Sequence, residues 1–179
     1  MPTDDRFQKA RSKYGHIDPV RPEGLLFVPF RLVDDVLHLS GELPFLGPPP
    51  LAKRFAGKVG DRAAVDAGTA VVDVDAAAEA ASVTTLNLLF TAKAALGTLD
   101  NVVRTIEAFG VVNSDEGFTG QSQVMNGCSS VLLEVFGEER GQHTRCAIGV
   151  SELPLNSCIE IKLSLHIDCV GLAASPDRQ

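Results

Sequence analysis

The sequence predicts a single α+β domain whose elements follow the order β-β-α-β-α-β-β, with two long helices on one face of a mixed sheet. Three observations lead to this prediction: two stretches with apolar residues at helical spacing, a final stretch of alternating apolar and polar residues, and a length of 179 residues. Hydrophobic residues make up 45% of the chain and charged residues 22%, which is typical of a protein with a packed core.

The domain is expected to span residues 25–170. Before it, residues 3–14 predict a short polar helix capped by Thr3, within an N-terminal helical extension over residues 1–24. Residues 171–179 predict a flexible C-terminal tail.

The first two strands are predicted to lie next to each other along the chain. The run LLFVPFRLV, residues 25–33, is typical of a strand, and Pro29 within it indicates an edge or a bulge. A tight turn at Asp34-Asp35 leads to VLHLSG, residues 36–41, as the second strand. Residues 42–60 are rich in Pro and Gly and predict a loop.

A long helix is expected to begin at a cap formed by Asp73 or Asp75 and to end at Leu96, before Gly97. Its apolar positions at helical spacing are Val83, Leu86, Phe90 and Ala94. Residues 101–112 then predict a strand.

A second helix is expected between a cap at Thr119 and a stop at Gly137. Its apolar positions are Val124, Cys128, Val131, Leu132 and Val135. The last two strands are predicted at residues 144–150 and 157–168. The apolar side of the final strand is formed by Ile159, Ile161, Leu163, Leu165 and Ile167.

The strand at residues 144–150 has apolar residues on both faces. Cys146, Ile148 and Val150 lie on one side, and Ala147 and Gly149 lie on the other. A strand that faces water on one side alternates polar and apolar residues, so both sheet faces are expected to be buried. Both predicted long helices cover the same face, so the other face is expected to be buried by a second copy of the chain. The sequence therefore predicts a homo-oligomer.

The composition argues against several classes of partner. The net charge is −7, and 16 basic residues scattered among 23 acidic ones form no stripe for a phosphate backbone, so nucleic acid is not expected as a partner. The first residues lack the apolar run of a secretory signal, and no stretch reaches the roughly 20 apolar residues of a membrane helix. The expected location is the cytoplasm. Four cysteines and four histidines show no metal-ligand spacing, so a metal site is not expected.

Two charges stand in the last two predicted strands: Arg145 near the start of one and Glu160 in the other. We expect these strands to pair as a hairpin, which brings Glu160 near the strand of Arg145. A lone charge on a strand is as often a solvated edge residue. In the other interpretation the arginine fork binds a substrate carboxylate and the glutamate orients or deprotonates a water, which suits hydrolysis of a small carboxylate.

Other catalytic motifs find no support in the sequence. The stretch AKRFAGKV, residues 52–59, lacks the first glycine and the hydroxyl residue of a phosphate-binding loop. His143 and Cys146 are three positions apart on a predicted strand and point to opposite faces, which favours packing over a nucleophile pair. The chain contains no G-x-S-x-G elbow.

Short motifs occur in a fixed order between about residue 25 and residue 167. They are Ser40-Gly41-Glu42-Leu43-Pro44, the helix at 75–97 followed by Leu99-Asp100-Asn101-Val102-Val103, Val124-Met125-Asn126, Arg145 with Gly149-Val150 and Leu153-Pro154, and Ile159-Glu160-Ile161. In this order they resemble the RidA/YjgF family. The stretch Thr85-Leu86-Asn87-Leu88-Leu89 and the long Pro-rich loop are similar to the family's longer, endoribonuclease L-PSP-like subgroup.

The resemblance implies a chorismate-mutase-like fold and a homotrimer with ligand sites between subunits. It implies a hydrolase that converts reactive enamines and imines, such as 2-aminoacrylate, to 2-keto acids and ammonia without a cofactor. In that scheme Arg145 holds the substrate carboxylate and Glu160 positions the attacking water. The residues that would line the pocket are Ser40, Gly41, Asn126, Phe27 and Ala147, the last through its neighbouring backbone groups.

Two positions depart from the family pattern. Phe27 stands near the place of a pocket tyrosine and cannot donate a hydrogen bond. Ala147 stands where a cysteine is frequent, and Cys146 is one position away and faces the other side. The carboxylate anchor is therefore better preserved than the rest of the chemistry.

Two other functions stay open beside the deaminase. One is a non-catalytic trimer that binds small carboxylates for sensing or regulation, and Phe27 favours it. The other is an endoribonuclease, which family labels suggest and which the acidic balance of the chain argues against. Arg145 together with Glu160 favours the deaminase. Chorismate mutase chemistry shares only the fold.

Overall fold

The computed structural model describes residues 1–19, 24, 26–48, 50–68 and 71–169. Leu25, the predicted start of the first strand, and the predicted tail at residues 171–179 lie outside the described residues.

Within the described residues, five strands form one mixed sheet in the order β1-β2-β5-β3-β4. The strands are β1 (Phe30–Val33), β2 (Val36–Leu39), β3 (Val102–Asn113), β4 (Thr144–Val150) and β5 (Ile159–Ile167). Strand β5 runs antiparallel to both β2 and β3, whereas β4 runs parallel to β3. The predicted α+β class and its order of strands and long helices are confirmed.

The helices of the described residues are α1 (Thr3–Tyr14), α2 (Arg62–Ala67), α3 (Val74–Leu96), α4 (Gln121–Phe136) and α5 (Glu138–Gly141). The two long predicted helices are α3 and α4, which pack against each other and on the same sheet face, while α1 packs on both of them. None of these helices has the length and hydropathy of a membrane span.

Helix α3 begins where the sequence predicts it. The carboxylate of Asp73 accepts a hydrogen bond from the N–H of Ala76 at 2.8 Å, which caps the first turn, and Gly97 follows the last turn with a φ of +80°. Every residue from 82 to 89 is buried, because α1, α4 and the sheet surround this part of the helix. On the predicted apolar face, Val83 and Leu86 are buried, whereas Ala94 at its C-terminal end is exposed.

Two predicted helix starts are shifted. Pro2 occupies the cap position of α1, and Thr3 is already helical, with its N–H donated to Asp100 Oδ1 at 3.0 Å. Gly120, rather than Thr119, precedes α4. The five predicted apolar positions of α4 are all buried, as are the five of β5.

The first strand is shorter than predicted. Phe27 and Val28 lie outside any strand, and β1 begins only after Pro29, which has no N–H to contribute to the ladder. The tight turn at Asp34-Asp35 is confirmed, and Asp34 adopts the positive φ of 52° that such two-residue turns require.

The predicted hairpin of the last two strands is wrong. Strand β3 lies between β4 and β5, so the segment that contains Pro154–Asn156 passes the end of β3 instead of making a tight turn. The reason is that α4 carries the chain from β3 into a parallel crossover, which places β4 at the free edge of β3. Strand β5 then occupies the other side of β3 in antiparallel orientation.

The sheet has one face against the helices and one open face. Ile161, Leu163 and Leu165 point towards the helices and are buried. The open face carries Ile148, which is 41% exposed, and Glu160. This is the face that the sequence predicts to be covered by a further copy, and the homotrimer stays a prediction.

Candidate functional site

Arg145 lies on β4, on the sheet face that carries the helices. Its Nη1 donates to Asn126 Oδ1 at 3.0 Å and to Ser129 Oγ at 3.1 Å, and its Nη2 donates to Ser122 Oγ at 2.7 Å. The three acceptors are uncharged. A guanidinium held in this way can exchange a neutral acceptor for a ligand carboxylate, with which it forms two parallel hydrogen bonds.

The acceptors form one stripe along α4. Positions i, i+4 and i+7 of a helix face the same side, which is the spacing of Ser122, Asn126 and Ser129. Asn126 was predicted from the sequence as a site residue, whereas the two serines were not. Polar residues at this spacing in a helix that is otherwise apolar on its buried side were the available signal.

His143, which was weighed beside Cys146 and assigned to packing from the sequence, extends this cluster. Its Nε2 lies 3.1 Å from Ser129 Oγ, and its Nδ1 lies 2.7 Å from the carbonyl oxygen of Gly141. A cavity of about 310 Å³ opens beside the guanidinium, and we call it the large cavity. It is lined by Ser129, Leu133, Gln142, His143 and Arg145.

Glu160 lies on the open face of the sheet beside a second cavity of about 160 Å³, the small cavity. This cavity is lined by Gly41, Phe109, Val111, Glu160 and Lys162. Gly41 is brought there because Glu42 and Ile161 exchange two backbone hydrogen bonds, of 2.9 and 3.1 Å. Burial raises the pKa of the Glu160 carboxyl, which makes its anion a better proton acceptor.

The loop that follows Glu42 is fixed from behind by Asn87 of α3. The amide Nδ2 of Asn87 donates to the carbonyl oxygens of Leu43 and Phe45, at 2.9 and 3.1 Å. Its Oδ1 lies 2.7 Å from Nε2 of His16, whose Nδ1 accepts from Arg11. Burial lowers the pKa of His16, so the ring is neutral and its Nε2 donates to Asn87. This network joins the residues after α1, the middle of α3 and the loop beside the small cavity.

Ser40 and Phe27 belong to the same end of the sheet. The Ser40 hydroxyl donates to the carbonyl oxygen of Val28 at 2.6 Å and so ties the segment of Phe27 to the end of β2. The Phe27 side chain is 57% exposed. It does not occur among the described residues that line the two cavities.

Ala147 and Cys146 take the orientations that the sequence predicts. Ala147 lies two positions after Arg145 on the helix-bearing face and is half-buried, whereas Cys146 pairs with Phe109 and faces the open side. Burial raises the pKa of the Cys128 and Cys158 thiols to about 11 and about 12, so both are uncharged packing residues. Across residues 1–19, 24, 26–48, 50–68 and 71–169, no cluster of His, Cys, Asp or Glu is suited to hold a metal.

Arg145 and Glu160 lie on opposite faces of the sheet. Arg145 pairs with Ala108 and Glu160 pairs with Val111 on the intervening strand β3. Residues three apart on a regular strand point to opposite sides. The expectation that Glu160 lies near Arg145 is therefore wrong within one chain, although each of them is placed beside other residues of the candidate site.

No family model matches the chain, but individual proteins do. Protein TCP17 of Trypanosoma cruzi is 39% identical over 132 residues, which cover 74% of this chain and 75% of TCP17. The crystal structure of protein Atu1372 from Agrobacterium tumefaciens, of unknown function, has a TM-score of 0.75 and 32% identity, over 93% of this chain and 95% of Atu1372. The crystal structure of RidA from the Antarctic bacterium Psychrobacter sp. has a TM-score of 0.50 and 19% identity, over 84% of this chain and 94% of RidA.

The comparisons and the motifs agree. The first two proteins share enough sequence over most of their length to be relatives, and the third shows that the mixed sheet with its helices is the fold of RidA. The motif residues Gly41, Asn126, Arg145 and Glu160 occupy two clusters built by this fold. The chain is therefore related in sequence to TCP17 and Atu1372, and its fold is the RidA/YjgF fold.

Proposed function

We propose that this protein is a deaminase that hydrolyses small imines and enamines bearing a carboxylate, and that its active site forms between subunits of a homotrimer. The observation that supports this proposal is the separation of Arg145 and Glu160 onto opposite faces of one sheet. A site that uses both residues needs Arg145 from one chain and Glu160 from another.

The exposed parts of the sheet support contact between copies. Strand β4 is an edge strand, and such an edge presents backbone groups that another chain can meet. On the open face, Ile148 is 41% exposed, and Ile106 of β3 is 37% exposed. Closed rings of identical chains bury such surfaces on every subunit at once.

Each half of the site has a distinct role. Arg145 binds the substrate carboxylate, which replaces one or more of its hydroxyl and amide acceptors on α4. Glu160 takes a proton from a water whose oxygen bonds to the imine carbon. The proton then passes to the nitrogen, which gives a carbon that bears a hydroxyl and an amino group. The hydroxyl proton moves to the amino nitrogen by way of Glu160, the carbon–nitrogen bond breaks as the carbonyl forms, and ammonia leaves a 2-keto acid behind.

A second candidate is a trimer that binds small carboxylates without turnover. It is favoured by Phe27, which offers no hydroxyl at the approximate position of the family tyrosine. In this case Arg145 still binds the ligand carboxylate, and Glu160 has no catalytic role.

The first test is imine hydrolysis by the purified protein. Imines are generated from several amino acids by an amino-acid oxidase and trapped by semicarbazide, with which the protein competes. We expect faster imine loss with the wild type and a decrease of about 100-fold in Arg145→Ala and in Glu160→Gln, the order of loss when a reacting group is misplaced. Arg54→Ala is the control, because Arg54 makes an exposed ion pair with Glu79.

If the wild type does not accelerate imine loss for any of the amino acids, the deaminase proposal is contradicted. Tight binding of a 2-keto acid by the wild type and not by Arg145→Ala would then establish the binding protein.

A mixing experiment tests the shared site. Arg145→Ala and Glu160→Gln chains, each inactive alone, are co-expressed and purified together. In a cyclic trimer that mixes at random, about a quarter of the sites combine an intact Arg145 with an intact Glu160 from neighbouring chains. We expect about that fraction of wild-type activity, and mixed trimers without activity would overturn the assignment of the two residues to different chains.

A further inference from the structure

We propose that Ser129 is a nucleophile activated by His143, and that the large cavity accepts short carboxylic esters whose acyl group is transferred to Ser129. This activity goes beyond imine hydrolysis and does not need Glu160, which lies on the other face of the sheet.

The contacts of His143 determine the tautomer of its neutral ring. Its Nδ1 lies 2.7 Å from the carbonyl oxygen of Gly141, which can only accept, so Nδ1 carries the proton of the neutral ring. Its Nε2 then has a free lone pair and lies 3.1 Å from Ser129 Oγ. The serine hydroxyl therefore donates to Nε2, which is the arrangement of a nucleophile with its general base.

The base is also oriented by a third group. The Gly141 carbonyl fixes both the tautomer and the ring plane of His143, as an acidic residue does in the serine-histidine-aspartate arrangement. Gly141 is buried and its N–H bonds to the Gly137 carbonyl at 2.8 Å, so the orienting carbonyl belongs to a fixed helical turn. Both reacting side chains remain partly accessible.

Arg145 supplies the charge that an acyl transfer needs. Its Nη1 lies 3.1 Å from Ser129 Oγ, close to where the oxygen of a carbonyl attacked by Ser129 becomes negative. A fixed cation at that position stabilises the tetrahedral intermediate. Ser122 provides the internal comparison, because it also accepts from Arg145, whereas His143 Nε2 contacts Ser129.

The step balances with water as the only co-reactant. Ser129 Oγ bonds to the ester carbonyl carbon while its proton moves to His143 Nε2, and the carbonyl electron pair moves to the oxygen beside Arg145. That pair then returns, the carbon–oxygen bond to the alcohol breaks, and His143 gives its proton to the departing oxygen. Water then attacks the carbonyl carbon of the acyl serine while His143 takes its proton. The bond to Ser129 Oγ breaks, His143 returns the proton to that oxygen, and the carboxylic acid is released.

The cavity limits the acyl group. A volume of about 310 Å³ suits a ligand at the small end of the usual range. Leu133, 39% exposed, gives it an apolar wall, while Gln142 is polar. A short acyl chain that packs on Leu133 fits both the volume and the apolar wall of the cavity.

The experiment is covalent labelling with a fluorophosphonate probe, in which a serine oxygen displaces fluoride from phosphorus. The purified full-length protein is labelled, and the modified residue is identified by tandem mass spectrometry. We expect the adduct on Ser129 and none on Ser122, because Ser129 has the imidazole of His143 in contact as its base. Labelling should be lost in Ser129→Ala and about 100-fold slower in His143→Gln, the usual lower range for removal of a general base.

Two controls separate this proposal from the deaminase. Ser130→Ala removes the exposed neighbouring hydroxyl and should label Ser129 at the wild-type rate. Glu160→Gln should also label normally even where imine hydrolysis fails, so the two proposals can fail independently. Absence of an adduct on Ser129, equal labelling of Ser129 and Ser122, or an undiminished rate in a folded His143→Gln protein would each overturn the proposal.

Discussion

Gly41 lies directly against the carboxyl group of Glu160. A Cβ placed on Gly41 would be 3.0 Å from Cδ and 3.2 Å from Cγ of Glu160, and it would overlap Oε1. The two backbone hydrogen bonds between Glu42 and Ile161 prevent the chain from moving aside. The orientation of this carboxyl group therefore depends on the absence of a side chain at residue 41.

Replacing Gly41 with Ala should displace the Glu160 side chain and lower both stability and imine hydrolysis. We expect a loss of about 0.5–1.5 kcal/mol in the free energy of unfolding, the cost of a displaced rotamer, because the atoms that must move are the end of a flexible, half-buried side chain. The free energy is measured by urea unfolding. In a Glu160→Ala background most of the penalty should disappear, because the overlapping atoms are gone. A penalty of the same size in both backgrounds would contradict the contact.

Glu160 should make stability depend on pH in the acid range. Its pKa is raised by burial above the ordinary 4.5, so the folded state holds the proton more tightly than the unfolded state. The free energy of unfolding should therefore fall as pH rises from about 4.5 through the raised pKa. Glu160→Gln cannot ionise and should lose this decrease, as measured by urea unfolding across that range. Glu116→Gln, at an exposed position, is the control and should keep it.

His16 should change stability with pH in the direction opposite to Glu160. Burial lowers the pKa of His16 below 6.5 and Arg11 lowers it further, while the hydrogen bond with Asn87 and the charge of Asp18 oppose this shift. The folded state therefore favours the neutral ring. The stability it contributes is present above pH 6.5 and is lost as pH falls through the lowered pKa. His16→Gln should show a smaller loss of stability on acidification than the wild type, whereas the exposed His38→Gln should behave as the wild type. Equal acid sensitivity of all three proteins would contradict the network.

Gly127→Ala tests how closely α3 and α4 approach. A Cβ at Gly127 would overlap the carbonyl oxygen of Ala78 and lie 3.0 Å from Ser82 Oγ. Helix propensity alone predicts a gain of about 1 kcal/mol for this exchange. The steric overlap should dominate and give a net loss of about 1–3 kcal/mol in urea unfolding. A gain would show that the helices can separate at little cost.

Local sequence patterns predicted where each helix and strand lies along the chain. They predicted less well which elements are neighbours in the folded structure. Asp73 and Gly97 predict α3 because capping depends on residues close in the chain. The pairing of β4 with β3 instead of β5 depends on a crossover through α4, which no local pattern in residues 144–168 encodes. For this reason the sequence identified Arg145 and Glu160 but misplaced them relative to each other.

The candidate site was predicted only in part for a similar reason. Gly41 and Asn126 lie within short motifs and could be found there. Ser129 and His143 come together from a helix and the start of a strand, and each alone reads as an ordinary polar residue. Asn87 sits inside a buried helix, and its contacts with Leu43 and Phe45 depend on how the Pro-rich loop folds back.

The placement of Arg145 and Glu160 on opposite faces also has a consequence for how activity scales with protein concentration. A reaction that needs both residues is governed by mass action between subunits as well as by substrate. Its rate per chain should decline once the protein is diluted below the concentration at which the assembly dissociates. Acyl transfer at Ser129, whose partners His143 and Arg145 belong to the same chain, should keep its rate per chain under the same dilution.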